Sequence, residues 1–204
     1  MSSICIIDYG KGNLRSVFNA VESLGATAAI ISRPADLVRF SHAILPGVGA
    51  FGEAMAALRK DGWTDALDQH AMAGKKPFLG ICLGMQLIAE KGTEHGDHEG
   101  LGWIKGTVTR LEGSKEARVP HIGWNDVELS GNPMLYAGLQ SGSDFYFVHS
   151  YALQPADESC VTGWCHHGGK FVASIEAGNI HATQFHPEKS QKAGLHILEN
   201  FIRC

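Results

Sequence analysis

Residues 77–86 read Pro-Phe-Leu-Gly-Ile-Cys-Leu-Gly-Met-Gln. Pro77 to Ile81 is a short apolar run, the pattern of a strand buried on both faces. Cys82 follows at once, with Gly80 and Gly84 two residues to either side. Met85 to Glu90 then predicts a helix. A strand that turns sharply into a helix through G-x-C-x-G has the form of a nucleophile elbow. The turn is strained, the side chain at its apex projects above the sheet, and the glycines let backbones pass closely. The N–H groups of the new helix point toward the sulfur and favour the thiolate, which is the reactive form. A lone cysteine in an apolar strand is ordinarily structural. A catalytic reading therefore needs a base and an oxyanion site elsewhere in the chain.

The flanking sequence sets the frame for such an elbow. Ile4 to Ile7 is an apolar run ending at Asp8, which predicts a buried parallel strand. Tyr9 to Asn13 is a turn. Leu14, Val17, Phe18, Val21 and Leu24 follow helical spacing, and Gly25 stands at the C-cap. Thr27 to Ile31 and Ala43 to Leu45 are further strands. Glu53 to Arg59 and Thr64 to Met72 are helices parted by Asp61-Gly62. Alternating strands and helices indicate an α/β fold with a parallel sheet.

After Gly102 the pattern changes. Ile104–Leu111, Trp124–Leu129, Asp144–His149, Ser159–Cys165, Phe171–Glu176 and Ile180–Phe185 all predict strands, and helical spacing returns only in the last stretch. Strands without crossover helices imply an antiparallel or mixed extension of the same sheet. No linker divides the chain, so residues 1–204 are expected to form a single domain.

Composition excludes several classes. With 204 residues, 44% hydrophobic and 19% charged, the chain has a normal globular make-up. A net charge of -4 gives no electrostatic case for nucleic acid or an anionic membrane. No apolar run approaches the roughly 20 residues of a membrane span. The N-terminus lacks a basic region before its apolar stretch, so no signal peptide is expected. Five scattered cysteines suit reduced thiols in a cytosol better than a disulfide framework. Gly10-Lys11-Gly12 fits neither a dinucleotide fingerprint nor a P-loop. His95 and His98 lie in a polar loop without a ligand pattern. Cys160, Cys165, His166 and His167 do not have zinc-ligand spacing either, and Gly168-Gly169 fits a hairpin turn.

Two further stretches supply what the elbow needs. Pro46-Gly47-Val48-Gly49-Ala50-Phe51-Gly52 follows the third strand directly, at the carboxyl edge where α/β sheets bind ligands. Its glycines leave backbone N–H groups free to face a developing negative charge. Phe185-His186-Pro187-Glu188 leaves the last strand, and His186 and Glu188, two apart, point to the same side. A carboxylate there fixes the imidazole tautomer and leaves the other nitrogen as a base. His121, His149 and His181 are competing bases, but none has a carboxylate placed like Glu188. The acid follows the histidine by two residues, which argues against a generic α/β-hydrolase.

Together these stretches resemble the triad-type (class I) glutamine amidotransferases, in which a Gly-rich oxyanion loop, G-x-C-x-G and H-P-E follow in that order. Asp8 to Leu14, Pro120 to Asn125 and Tyr146 to Tyr151 further resemble the glutaminase subunits of imidazole glycerol phosphate synthases, as does the length. The resemblance implies the class I amidotransferase fold: a mixed, mostly parallel central sheet flanked by helices, with an antiparallel extension in the second half. It also implies a Cys82–His186–Glu188 triad that hydrolyses glutamine to glutamate and ammonia. Gly49 and Leu83 would give the oxyanion hole, and Gln86, Ser150 and Tyr151 would bind glutamine. No cofactor and no metal are implied. The implied partner is a (β/α)₈-barrel cyclase subunit that receives the ammonia, in a cytoplasmic heterodimer of histidine biosynthesis. Tyr9 to Asn13 and Trp124-Asn125 are the expected partner-facing segments. A full oxyanion hole is expected only when the cyclase holds its nucleotide, through a switch in the Gly47–Gly49 peptides.

Overall fold

The computed structural model of the chain describes residues 2–204. In chain order the first half holds β1 (Ser3–Ile7), α1 (Leu14–Ser23), β2 (Thr27–Ile31), β3 (His42–Gly47), α2 (Phe51–Lys60), α3 (Trp63–Leu67), β4 (Phe78–Cys82) and α4 (Leu83–Leu87). Then come the short strands β5 (Ala89–Gly92) and β6 (His98–Glu99), followed by β7 (Ile104–Arg110), β8 (His121–Leu129) and β9 (Ser143–His149). The chain closes with β10 (Tyr151–Pro155), β11 (Val161–His166), β12 (Lys170–Ala177), β13 (Ile180–Thr183) and α5 (Gln191–Ile202).

Nine strands form one sheet in the order β2-β1-β3-β4-β13-β12-β11-β8-β9. β2, β1, β3, β4 and β13 run parallel. The remaining four continue the sheet antiparallel. This is the mixed sheet with an antiparallel extension that the two halves of the sequence predict. A second sheet, in the order β10-β7-β5-β6, packs separately.

Period-2 alternation sorts the core into two layers. Ile4, Ile6, Ile44, Leu79 and Ile81 face α1 and α5, where Val17, Val21, Ile197, Leu198 and Phe201 are buried. Cys5, Ile7, Ala43, Leu45 and Phe78 face the opposite side, where Phe51, Met55 and Leu58 of α2 and Trp63 and Leu67 of α3 pack. The second sheet joins that side through Ala89, Ile104, Val108 and Leu153. Leu24 caps α1, and Gly25 takes the left-handed conformation one residue later, at φ +77°. Among the described residues, no helix is long and apolar enough to cross a membrane.

Three elements differ from the sequence-based expectation. The helix predicted over Met85–Glu90 begins two residues earlier, at Leu83, and ends at Leu87. The carbonyls of Leu87, Ile88, Ala89 and Glu90 accept instead from amides of residues 100–104, which peels the chain into β5. The helix predicted over Thr64–Met72 is α-helical only to Leu67 and continues as a wider π turn over Asp68–Ala73. β10 pairs with β7 across about 40 residues of chain, and no local signal marks it as a strand.

Candidate active site

The apex of the elbow is strained. Cys82 sits at φ 55° and ψ −107°, a backbone that L-residues rarely adopt. Close packing over-determines it. Gly47 is the β3 partner of Cys82. A Cβ on Gly84 would lie 1.8 Å from the Leu45 carbonyl oxygen, and one on Gly80 would lie 2.7 Å from the Gly84 oxygen. β3, β4 and α4 therefore meet at backbone distance, and the nucleophile candidate is carried at the carboxyl edge of the sheet.

His186 reaches the elbow from β13, the neighbour of β4. Phe185 anchors the strand end, stacked on Phe145 of β9 at 4.1 Å. The His186 N–H donates to the Tyr146 carbonyl at 2.9 Å, and the Ser190 hydroxyl donates to the His186 carbonyl at 2.6 Å. Pro187–Lys189 form a 3-10 turn that swings Glu188 back. Its Oε1 accepts from His186 Nδ1 at 2.8 Å, and both side chains are buried. That bond fixes the tautomer and leaves Nε2 for chemistry. Nε2 is buried and makes no complete hydrogen bond of its own among the described residues. Burial alone would pull the His186 pKa down. The Cys82 sulfur, and after it the Glu188 carboxylate, outweigh burial and push it up to about 10.

One side chain bonds the sulfur. Gln184 is fully buried, and its Nε2 donates to Cys82 Sγ at 3.7 Å. Its Oε1 accepts from Gln86 Nε2 at 3.0 Å. The same Gln86 nitrogen donates to the Tyr151 carbonyl at 2.8 Å. A backbone carbonyl only accepts, so this contact assigns the Gln86 amide. Both of its hydrogens are used, and Oε1 is the polar atom left over.

A cavity of about 410 Å³ opens over Cys82. Gly49, Leu83, Gln86, Ser150 and Tyr151, the five residues expected for oxyanion and substrate binding, all line it. Gly49 sits at φ +102°, a conformation that favours glycine. Glu94 also lines the cavity and accepts from the Phe51 N–H at 2.9 Å, at the start of α2.

Among the described residues, none of the competing histidines has a carboxylate at hydrogen-bond distance, although His149 also lines the cavity. His149 and His121 bond to one another, Nε2 to Nδ1, at 3.1 Å. His181 faces Glu176 at 3.8 Å and Cys204 at 3.9 Å. Cys165 is buried, while His166 faces Glu128 and His167 bonds the Arg118 carbonyl, so these neighbours diverge. Among the described residues, no group of three or more His, Cys, Asp or Glu is arranged to hold a metal. Tyr9, expected to face a partner, is 3% exposed and packs inward against Gly47. Lys11 of the same turn pairs with Glu53 at 2.8 Å. Gln184 is the site residue that sequence reasoning misses. The signal for it is the period of two that also relates His186 to Glu188.

The profile of the family described as glutamine amidotransferase class-I matches residues 5–204. The chain belongs to the class-I glutamine amidotransferase family. This amidotransferase is 50% identical over 200 residues to a Campylobacter jejuni (strain RM1221) protein named imidazole glycerol phosphate synthase subunit HisH 1, covering 98% of this chain and 99% of that protein. The HisH subunits of Rhodopirellula baltica and Aquifex aeolicus are each 48% identical to it, over 97% of this chain and 96% and 95% of theirs. Among solved structures, PurLQS from Thermotoga maritima matches the amidotransferase with a TM-score of 0.77 at 19% identity, covering 100% of this chain and 99% of that one. At that identity the likeness speaks to the fold. It agrees with the mixed sheet flanked by helices.

Proposed function

We propose that this chain is the glutaminase subunit of an imidazole glycerol phosphate synthase, acting as one amidotransferase domain over residues 1–204. The observation that carries the chemistry is the pairing of a strained elbow cysteine with a buried histidine. The His186 ring is tied to Glu188 at 2.8 Å with both side chains buried, and the Cys82 sulfur and the Glu188 carboxylate push its pKa up against burial. The names of the relatives, at 48–50% identity over nearly the whole chain, carry the pathway.

In this reading the Cys82 thiolate attacks the side-chain amide carbon of glutamine. The oxyanion forms against the N–H groups of Gly49 and Leu83, each donor contributing about 2.7–4 kcal/mol to transition-state stabilisation. His186 Nε2 gives its proton to the departing nitrogen, the C–N bond breaks, and ammonia leaves a glutamyl thioester. Water then attacks the thioester while His186 takes back a proton. The C–S bond breaks and glutamate is released. Glu188 holds the ring in one tautomer through both steps. Gln86 Oε1 is the acceptor that meets the substrate, beside the Ser150 and Tyr151 backbone.

Ammonia is protonated in bulk water, so a subunit of this kind serves a partner that receives it directly. The partner in this reading is a cyclase with a (β/α)₈ barrel, in a cytoplasmic heterodimer that passes ammonia through the barrel. Support for a docking surface comes from β8, where Ile122 is 60% and Trp124 47% exposed, and from Val48 of the Gly-rich loop at 43%. Large apolar side chains on an open face fit a surface that a partner covers.

An electrophilic glutamine analogue tests the chemistry. It is expected to add once, at Cys82, with protection by glutamine and no adduct in Cys82→Ser. Labelling spread over Cys160 and Cys204, unaffected by glutamine, would remove the support for this site.

A further inference from the structure

The hydrogen bonds around the cavity do not stop at Gln86. The Tyr151 carbonyl that receives Gln86 Nε2 at 2.8 Å also receives His149 Nδ1 at 2.9 Å. A carbonyl has no hydrogen to give, so His149 Nδ1 carries the proton and Nε2 is left as an acceptor. His121 Nδ1 stands 3.1 Å from that Nε2 and must be its donor. His121 Nε2 is then the acceptor in turn, and Asn125 Nδ2 lies 3.3 Å from it. Asn125 Nδ2 also donates to the His166 carbonyl at 2.9 Å, and its Oδ1 accepts from the Asp126 N–H at 3.0 Å. These links fix the Asn125 amide the same way round. Every bond from Asn125 to Tyr151 is consistent with a single arrangement of hydrogens.

We propose that His121 and His149 are positioning residues: two neutral imidazoles, each protonated on Nδ1, that hold the Tyr151 carbonyl and through it the Gln86 carboxamide of the glutamine pocket. The inference rests on the proposed glutaminase function for what the pocket binds, though not for the hydrogen arrangement itself. Three features support it. Both rings are buried, at 3% and 6% exposure. His121 is wedged between Phe147, stacked at 4.9 Å, and His167, stacked at 4.1 Å, so the ring cannot turn to exchange its nitrogens. Burial, reinforced by neighbouring imidazoles, also pulls both rings well below the ordinary histidine range and keeps them uncharged near neutrality. A second proton on either ring would put two donors face to face along the chain.

The consequence is specific. Gln86 donates with both hydrogens, to Tyr151 and Gln184, and Gln184 in turn donates to the Cys82 sulfur. If the Tyr151 carbonyl shifts, the Gln86 amide can rotate and present an NH₂ where the substrate meets an oxygen. Loss of the brace is therefore expected to appear in glutamine binding before it appears in turnover.

The test uses the chain in complex with a cyclase subunit and its nucleotide substrate, and reads KM and kcat for glutamate release. His149→Phe keeps a flat aromatic ring, slightly larger than imidazole, and removes both nitrogens. It is expected to raise KM for glutamine about 5- to 10-fold, the size of one lost neutral hydrogen bond, with kcat changed less than about twofold. His149→Asn places an N–H near the Nδ1 position and is expected to return KM to within about threefold of wild type. Equal KM values for the two variants and wild type, or a fall in kcat with KM unchanged, would overturn the proposal. A second measurement needs no variant. Long-range ¹H–¹⁵N spectra of the wild-type chain at pH 7 are expected to show both rings neutral and protonated on Nδ1, and an Nε2–H or charged ring at either position would overturn it. If wild type releases no glutamate, the proposed function fails, and the tautomers still decide the brace.

Discussion

The Tyr9 hydroxyl occupies the space where a side chain on Gly47 would begin, 2.5 Å from the position of its Cβ. The hydroxyl is buried and has no hydrogen-bond partner among the described residues. Burial, with Cys82 adding to it, pushes the phenol's pKa up, so it stays neutral beside the elbow. Tyr9→Phe removes an unpaired buried polar group and is expected to change stability by no more than about 1 kcal/mol. Gly47→Ala forces the hydroxyl aside and is expected to cost about 1–3 kcal/mol. Denaturant midpoints of the double variant check the coupling. Its loss is expected to be smaller than the sum of the two, because the shortest contact goes with the hydroxyl while Leu83 Cβ at 3.0 Å and Gly84 N at 3.3 Å remain.

Gln184 donates to the Cys82 sulfur at 3.7 Å. Gln184→Leu keeps the volume and takes this partner away from both Cys82 and Gln86. A hydrogen bond to a charged group is worth about 1.5–3 kcal/mol, so kcat for glutamate release is expected to fall about 10- to 100-fold. Steady-state kinetics beside a thermal melt separate this from unfolding. An unchanged kcat in a folded variant would remove Gln184 from the site.

Stability should fall on mild acidification. His42, His70, His121, His149 and His181 are buried, and burial holds each below its ordinary value. The pKa is pulled to about 4 for His70, His121 and His181, and to about 3 for His149. Unfolded histidine takes up its proton below about 6.5, while folded His70, His121, His149 and His181 wait until about 4 or lower. The unfolded chain therefore binds more protons across that window, and stability is lost as pH falls through it. Those four groups cost up to about 5 kcal/mol between pH 7 and 5.5. His186 acts oppositely. Its raised pKa contributes stability that is complete below about 6.5 and lost as pH rises through about 10. Urea titrations from pH 5 to 10 should show a maximum near pH 7 falling away on both sides, more steeply on the acid side.

Trp124 is 47% exposed and meets Tyr146 edge-on, with ring centroids 6.0 Å apart. Trp124→Ala is expected to leave the stability of the isolated chain within about 0.5 kcal/mol of wild type. Binding to a cyclase subunit should weaken about 30-fold or more, as for a buried aromatic anchor. Titration calorimetry measures it.

The candidate site is legible in the sequence because its chemistry is local. The elbow, the Gly-rich loop and His186-Pro187-Glu188 each carry a steric or electrostatic reason within a few residues, and the parallel half of the sheet follows from buried apolar runs. What lies beyond such reading is set by distant partners. The helix after the elbow stops at Leu87 because amides near Trp103 claim its last carbonyls. β10 is a strand only because β7 stands beside it. Tyr9 reads as part of a polar turn, yet folds inward. Gln184 and the His121–His149 pair gain their meaning from contacts 28 to 102 residues apart.

The most direct test is glutamate release by wild type and Cys82→Ala, each alone, with a cyclase subunit, and with the cyclase and its nucleotide substrate. The expected result is release that requires Cys82 and rises steeply only in the full mixture. Release that persists in Cys82→Ala, or that ignores the cyclase and its nucleotide, would contradict it.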